Sequence, residues 1–178
     1  MNGLGVGTGT ARKPPKPRNT SSISFDGSDD FLSIPSYAIS GGSGVSDFSF
    51  SIWARFPSGG ATPFRRVSVF DIYSDSNNYW KFSFDSNSKE TFAVAVGSII
   101  VNFTANSTID ANLADTWLHY VVSHDRSSGT IVYRNGEALT AGANTIADTS
   151  TSLHIAEPLR IGIFATNEAE FICNEFAI

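Results

Sequence analysis

The chain has 178 residues, 41% of them hydrophobic and 12% aromatic, with 14 Phe and only 16% charged. A body of about 150 residues buries roughly 70% of its unfolded surface, so one domain with a full core is expected. A single cysteine, Cys173, excludes an internal disulfide, and no apolar run approaches the roughly 20 residues of a membrane-spanning helix, which sets aside a disulfide scaffold and a helical membrane protein.

The net charge of −5 is unevenly placed. Residues 1–22 hold Arg12, Lys13, Lys16 and Arg18 and no acid, giving +4; all 17 acids fall in residues 23–178, which carry −9. Residues 1–11 alternate Gly3, Gly5, Gly7 and Gly9 with small residues, and residues 12–18 read RKPPKPR. Neither piece has the apolar content to offset the entropy of ordering, so alone the arm is expected to be flexible. Its expected role is an extended tether, residues 1–22, docked on an acidic protein neighbour in a large assembly. Four cations without interleaved aromatics give nucleic acid only a weak, salt-sensitive attraction, which an acidic body opposes. The arm also lacks the apolar h-region of a secretory signal peptide.

From Ile23 onward the pattern is strand. Phe48, Phe50, Ile52, Ala54 and Phe56 alternate with Ser49, Ser51, Trp53 and Arg55, a period of two with one oily face. Pro57-Ser58-Gly59-Gly60 stops it. A strand over 67–73 follows, its apolar phase slipping between Val69 and Phe70, which predicts a bulge. Asp75-Ser76-Asn77-Asn78 reads as a turn. Trp80, Phe82 and Phe84 then share one face, as do Phe92, Val94 and Val96, and next Ile99, Val101 and Phe103. Residues 104–116 read as a loop.

Trp117 opens a half-apolar strand through Tyr120 and Val122. Asp125-Arg126-Ser127-Ser128-Gly129 turns it into a strand over 130–134, and Asn135-Gly136 predicts a second hairpin, because a type I′ turn needs φ > 0 at both central residues. Residues 137–140 are expected as the third strand of this meander and residues 141–152 as a loop. Leu159, Ile161 and Ile163 mark a late strand, and 171–178 the last. Many short strands with no 3.6-residue period predict a β-sandwich or barrel.

Several of these stretches resemble one family. Trp117-x-His119-Tyr120-Val121-Val122-Ser123-x-Asp125, followed by Gly129 and Tyr133-x-Asn135-Gly136, is similar to the late hairpin of laminin-G-like domains of the concanavalin-A-like lectin/glucanase superfamily. Phe25-Asp26-Gly27-Ser28-Asp29-Asp30-Phe31 resembles the family's opening, 48–55 its FTISAWVR-like strand, and 174–178 its closing strand. The order and spacing match over residues 23–178. The resemblance implies an all-β jelly-roll sandwich of two antiparallel sheets spanning 23–178.

Each chemistry that the family could bring has a counterpart to weigh here. Its glucanases carry E-x-D-x-x-E on one strand face, where alternate spacing puts two carboxylates into one cleft. That motif is missing, and Asp71 with Asp75, the nearest pair, runs from strand into turn, so no enzyme is expected. In many relatives the opening Asp-Gly region and a closing-strand Asp share a calcium. Asp26, Asp29 and Asp30 supply the opening acids, while Asn174 stands at the closing position and brings an oxygen without charge, so calcium is a candidate cofactor of reduced affinity. Trp53 and Tyr79 lie opposite the oily phase of their strands and are candidates for a glycan platform. His119 is expected to be a hydrogen-bonded strand residue and Cys173 a buried one. The expected function is a non-enzymatic structural or interaction protein, most simply a virion surface component such as a capsid decoration or tail-fibre protein, with an extracellular lectin-like module as the alternative.

Overall fold

The computed structural model describes residues 21–34, 47–58, 64, 67–145, 152–153, 155–164, 167–168 and 170–177. Arg12, Lys13, Lys16 and Arg18 of the arm lie outside the described residues.

The described strands are β1 (Ile23–Asp26), β2 (Leu32–Ile34), β3 (Phe48–Arg55), β4 (Ser68–Asp75), β5 (Asn78–Phe84), β6 (Glu90–Val96), β7 (Ser98–Ala105), β8 (Trp117–Asp125), β9 (Gly129–Arg134), β10 (Glu137–Ala138), β11 (Ala141–Thr145), β12 (Leu159–Ile161), β13 (Ile163–Phe164), β14 (Asn167–Glu168) and β15 (Glu170–Ala177). A six-stranded sheet runs β1-β15-β3-β8-β9-β10, and a seven-stranded sheet runs β11-β7-β6-β5-β4-β12-β2. β13 and β14 form a small ribbon of their own. All pairings in the two large sheets are antiparallel. This is the jelly-roll sandwich that the family resemblance implies, one of the two architectures that the alternation allows.

The oily phases meet between the sheets. Phe50, Ile52 and Ala54 of β3, Leu118, Tyr120 and Val122 of β8, Trp80, Phe82 and Phe84 of β5, and Phe92 and Val94 of β6 belong to one buried cluster. Phe50 sits 4.7 Å from Phe70 and Phe82 5.2 Å from Tyr120, ring centre to ring centre, so aromatic contacts span the interface. The indole of Trp80 donates to the Leu153 carbonyl at 2.7 Å, which satisfies its one buried donor. The bulge in β4 falls where the phase slipped: register shifts between Ser68 and Phe70, and Val69 and Phe70 are both buried.

The two hairpin turns follow their residues. β8 and β9 pair from Tyr120↔Arg134 to Asp125↔Gly129. In the loop between them the Asp125 carboxylate accepts the backbone N–H groups of Ser127 and Ser128 at 2.7 and 2.9 Å. The Ser127 hydroxyl, which also donates to it, and then these backbone bonds draw its carboxyl down to about 2. Asn135 and Gly136 have φ of 55° and 86°, as a type I′ turn requires. Gly162, with φ of 97°, ends β12 where an added Cβ would lie 2.7 Å from the Phe25 ring.

Two expectations need correction. The strand after Asn135-Gly136 stops at Ala138, so the meander is shorter than its apolar residues implied. Residues 141–145, read as loop, are instead β11, which crosses to the seven-stranded sheet and pairs with β7. Its residues, AGANT, are all exposed at an edge, so no alternation marks them. The connection 104–116 also contains a short 3₁₀ turn, Ala111–Leu113, capped by the Asp110 carboxylate on Asn112 N–H at 2.9 Å.

Candidate functional site

The opening turn follows β1. Asp26 accepts the Ser28 N–H at 2.8 Å, and Asp30 accepts the Asp26 N–H at 3.3 Å, so these carboxylates shape the turn. All three acids, Asp26, Asp29 and Asp30, are exposed. Register places Asp26 opposite Glu170, whereas Asn174 lies farther along β15, opposite Trp53 of β3. At the rise of a strand that is about 13 Å away, so the structure does not bring Asn174 to the acidic turn. Among the described residues no group of three or more His, Cys, Asp or Glu is arranged to hold a metal ion.

The two aromatic candidates are also separated. Trp53 lies on the outer face of the six-stranded sheet, stacked on His119 with ring centres 4.8 Å apart. Tyr79 lies on the outer face of the seven-stranded sheet, clustered with Ala93 and Ala95, with the Lys81 ammonium 5.3 Å from its ring centre. They cannot form one platform. With Trp53 at 8% and Tyr79 at 9% exposure, neither ring is open for stacking on a sugar. His119 is the hydrogen-bonded strand residue expected: its Nε2 lies 2.9 Å from Ser51 Oγ, and its backbone N–H donates to Asn135 Oδ1 at 2.9 Å. Cys173 is buried, which pushes its thiol up to about 11.

Alternation did not single out the buried charges. Asp71 of β4 is fully buried and takes a two-pronged bond from its neighbour Arg160 of β12, at 2.8 and 2.7 Å. Glu90 of β6 lies between the sheets, where it meets the Arg134 guanidinium of β9 and the Tyr120 hydroxyl of β8, the latter at 3.5 Å. Burial raises the Glu90 carboxyl, against the pull of Arg134. A signal was available: Glu90 shares the oily phase of Phe92 and Val94, and Arg134 that of Val132. An acid and a base on facing apolar phases imply a cross-sheet pair. With Asp71 held by Arg160 and Asp75 closing an exposed turn through Asn77 N–H at 2.7 Å, the nearest acid pair of the sequence does not share a cleft.

One surface feature remains. Among the described residues β1 and β2 are the outermost strands of the two sheets at the same rim, joined directly by the acidic turn. Along this rim Ile23 is 48% exposed, Phe31 49%, Leu32 38% and Ile34 36%. Leu32 and Ile34 pair with Ile161 and Leu159, which are buried, so the rim residues continue the core out to the solvent.

The family model of the concanavalin A-like lectin/glucanases superfamily matches residues 26–171. The chain belongs to this superfamily. No curated protein sequence matches the chain. The laminin-G-like fold is shared with the binding domain of botulinum neurotoxin DC, solved in complex with rat synaptotagmin II, at a TM-score of 0.64 and 14% identity over 90% of this chain and 40% of that one. It is shared with domains LG4-5 of the mouse laminin α1 chain, at 0.59 and 13% over 88% and 42%. It is shared again with a heptameric SAP-like pentraxin from Limulus polyphemus, at 0.52 and 13% over 87% and 73%. The laminin-G-like domain thus spans about two-fifths of the toxin and laminin chains.

Proposed function

We propose that the chain is a non-enzymatic interaction module, held in a larger assembly by its N-terminal arm and displaying its sandwich outward. The division of charge supports this best: four cations and no acid in residues 1–22, against −9 in the body. The buried acids are consistent with it, since Asp71 and Glu90 are engaged by Arg160 and Arg134 and not held ready for proton transfer. The proposed setting is a virion surface, as a capsid decoration or tail-fibre protein. A rigid all-β body that needs no disulfide, joined to a basic arm, suits that role. Deleting residues 1–22 tests it. The shortened chain should keep the circular dichroism of the whole protein yet no longer co-sediment with the assembly from which the full chain is purified. Continued co-sedimentation would remove the arm from the mechanism.

A second reading, carbohydrate recognition, is favoured by the superfamily match and by the three exposed acids of the opening turn. A glycan array run with and without calcium decides it. Binding that calcium strengthens supports the lectin-like reading, and a blank array in both conditions defeats it.

A further inference from the structure

We propose that the rim formed by residues 23–34 is the docking site for the basic, proline-rich stretch 12–18 of a second copy of this chain. The proposal rests on the arm-anchored reading above and names the partner.

The rim has three properties that are rarely left together on a free surface. It is apolar, with Ile23, Phe31, Leu32 and Ile34 each more than a third exposed. It is acidic, with Asp26, Asp29 and Asp30 all exposed in the turn that joins its two strands. It also consists of the outermost described strands of the two sheets, β1 and β2, with no Lys, Arg or Pro between Ser21 and Ile34. Strands of four and three residues offer little backbone for strand pairing, so what marks this rim as an interaction surface is the exposed apolar patch beside the acids.

Charge complementarity points to the occupant. Residues 21–34 carry −3, and residues 12–18, RKPPKPR, carry +4 with Pro14, Pro15 and Pro17 among them. Prolines restrict the free chain, so docking it costs less entropy than docking an ordinary segment. An exposed aromatic beside carboxylates is the chemistry that accepts a proline-rich basic peptide: Phe31 offers a flat face to the prolines and the acids meet the cations. Asp29 is the freest of the three acids to do so, because the Asp26 and Asp30 carboxylates accept N–H groups of their own turn. Residues 19–22 lie between Arg18 and Ile23 and reach about 14 Å, enough for an arm to fold back on its own β1 or to leave for a neighbour. A head-to-tail exchange of arms propagates from copy to copy, as an assembly requires, and this is what selects the neighbour.

The test uses the full chain. Sedimentation velocity over a range of concentrations should show self-association that weakens at least about tenfold when salt rises from about 0.05 M to about 0.5 M, because exposed charges are screened. Asp29→Lys should abolish it, as should Phe31→Ser, with thermal melting unchanged in both. Combining Asp29→Lys with Lys13→Glu, which re-forms one opposite-charge pair and leaves the rim at −1 and the arm at +2, should recover part of it. Association indifferent to these substitutions, or a charge-swapped chain that stays monomeric, overturns the proposal. So does an arm that binds the rim of its own chain, seen as a monomer at every concentration whose Phe31 surroundings change when residues 1–22 are removed. Loss of co-sedimentation on arm deletion, with self-association absent, leaves the arm-anchored function standing and sinks only this choice of partner.

Discussion

At one rim the two sheets are tied together by polar side chains; at the other they end in exposed apolar ones. On the tied side, Asn144 of β11 donates to the Thr130 carbonyl at 2.9 Å and accepts the Thr130 N–H at 3.3 Å, so one amide grips the backbone of β9 in the opposite sheet. Arg134 of β9 reaches Glu90 of β6 across the same gap. His124 lies buried beside them, its Nδ1 2.9 Å from the Thr130 hydroxyl and its ring stacked on Phe48. On the open side, β1 and β2 carry Ile23, Phe31, Leu32 and Ile34 into solvent. Polar contacts close one rim and the other is left apolar, so substitutions at the two rims should have unlike consequences.

The largest effect belongs to the tied rim. Arg134→Ala leaves the buried Glu90 carboxylate without its guanidinium, and breaking a buried pair in this way costs about 3 kcal/mol. Burial already raises the Glu90 carboxyl, so its ionisation disfavours the fold, and that penalty grows as pH rises through the folded-state value. The loss in Arg134→Ala should therefore be greatest at neutral pH and shrink on acidification. Urea midpoints measured from pH 7 downward check it; a pH-independent loss would mean that Arg134 acts through packing alone.

His124 gives the next effect, of opposite sign in pH. Burial first, then the nearby Arg126 charge, pulls its imidazole down from 6.5 to about 4, with Asp47 and Asp125 pulling weakly the other way. The unfolded chain takes up a proton near pH 6.5 that the folded chain refuses until about pH 4. The stability held by neutral His124 is complete above pH 6.5 and drains away between those limits, by about 3 kcal/mol in total. In His124→Gln the slope over that interval should flatten, which a pH series of thermal melts would read directly.

How much of this was legible depended on period. Wherever a strand faces the core, as with Phe50 and Ile52 or Trp80, Phe82 and Phe84, alternation marked both its place and its buried face. Turn chemistry marked Asn135-Gly136 as plainly, since few other pairs tolerate positive φ twice in succession. β11 was illegible, because an edge strand of Ala, Gly, Asn and Thr buries nothing and is held by register and by the Asn144 amide. The candidate site was read less well than the fold. Asn174 matched a family position by spacing, but spacing along the chain cannot reveal that the register of β1 and β15 carries it away from Asp26. Trp53 and Tyr79 were each correctly placed off the oily phase, yet alternation cannot distinguish the outer face of one sheet from that of the other.

Smaller effects sharpen the contrast within the tied rim. Asn144→Ala removes two bonds to one backbone unit and should cost about 1 kcal/mol. Its more telling readout is local: amide exchange at Thr130 should quicken while the β5–β6 amides stay protected. Gly136→Ala places a side chain at φ of 86° and should likewise cost about 1 kcal/mol. Replacing Asn135-Gly136 by Gly-Gly should cost less in turn strain but lose the Asn135 bond to the His119 N–H.

The smallest effect on stability is expected where the exposed apolar surface is greatest. Phe31 stands outside β2, half exposed, so Phe31→Ser removes little that folding buries and should shift the unfolding midpoint by no more than about 0.5 kcal/mol. Leu32→Ser and Ile34→Ser reach farther, because their strand partners Ile161 and Leu159 belong to the core, and each should cost about 1 kcal/mol. The ordering is the point of the test. If Phe31 existed to complete the core, its loss would resemble that of its strand neighbours. If the rim exists to be covered, Phe31→Ser should leave the melting curve in place while abolishing self-association, and a change in binding without a change in folding is what separates an interaction surface from an imperfectly closed sandwich.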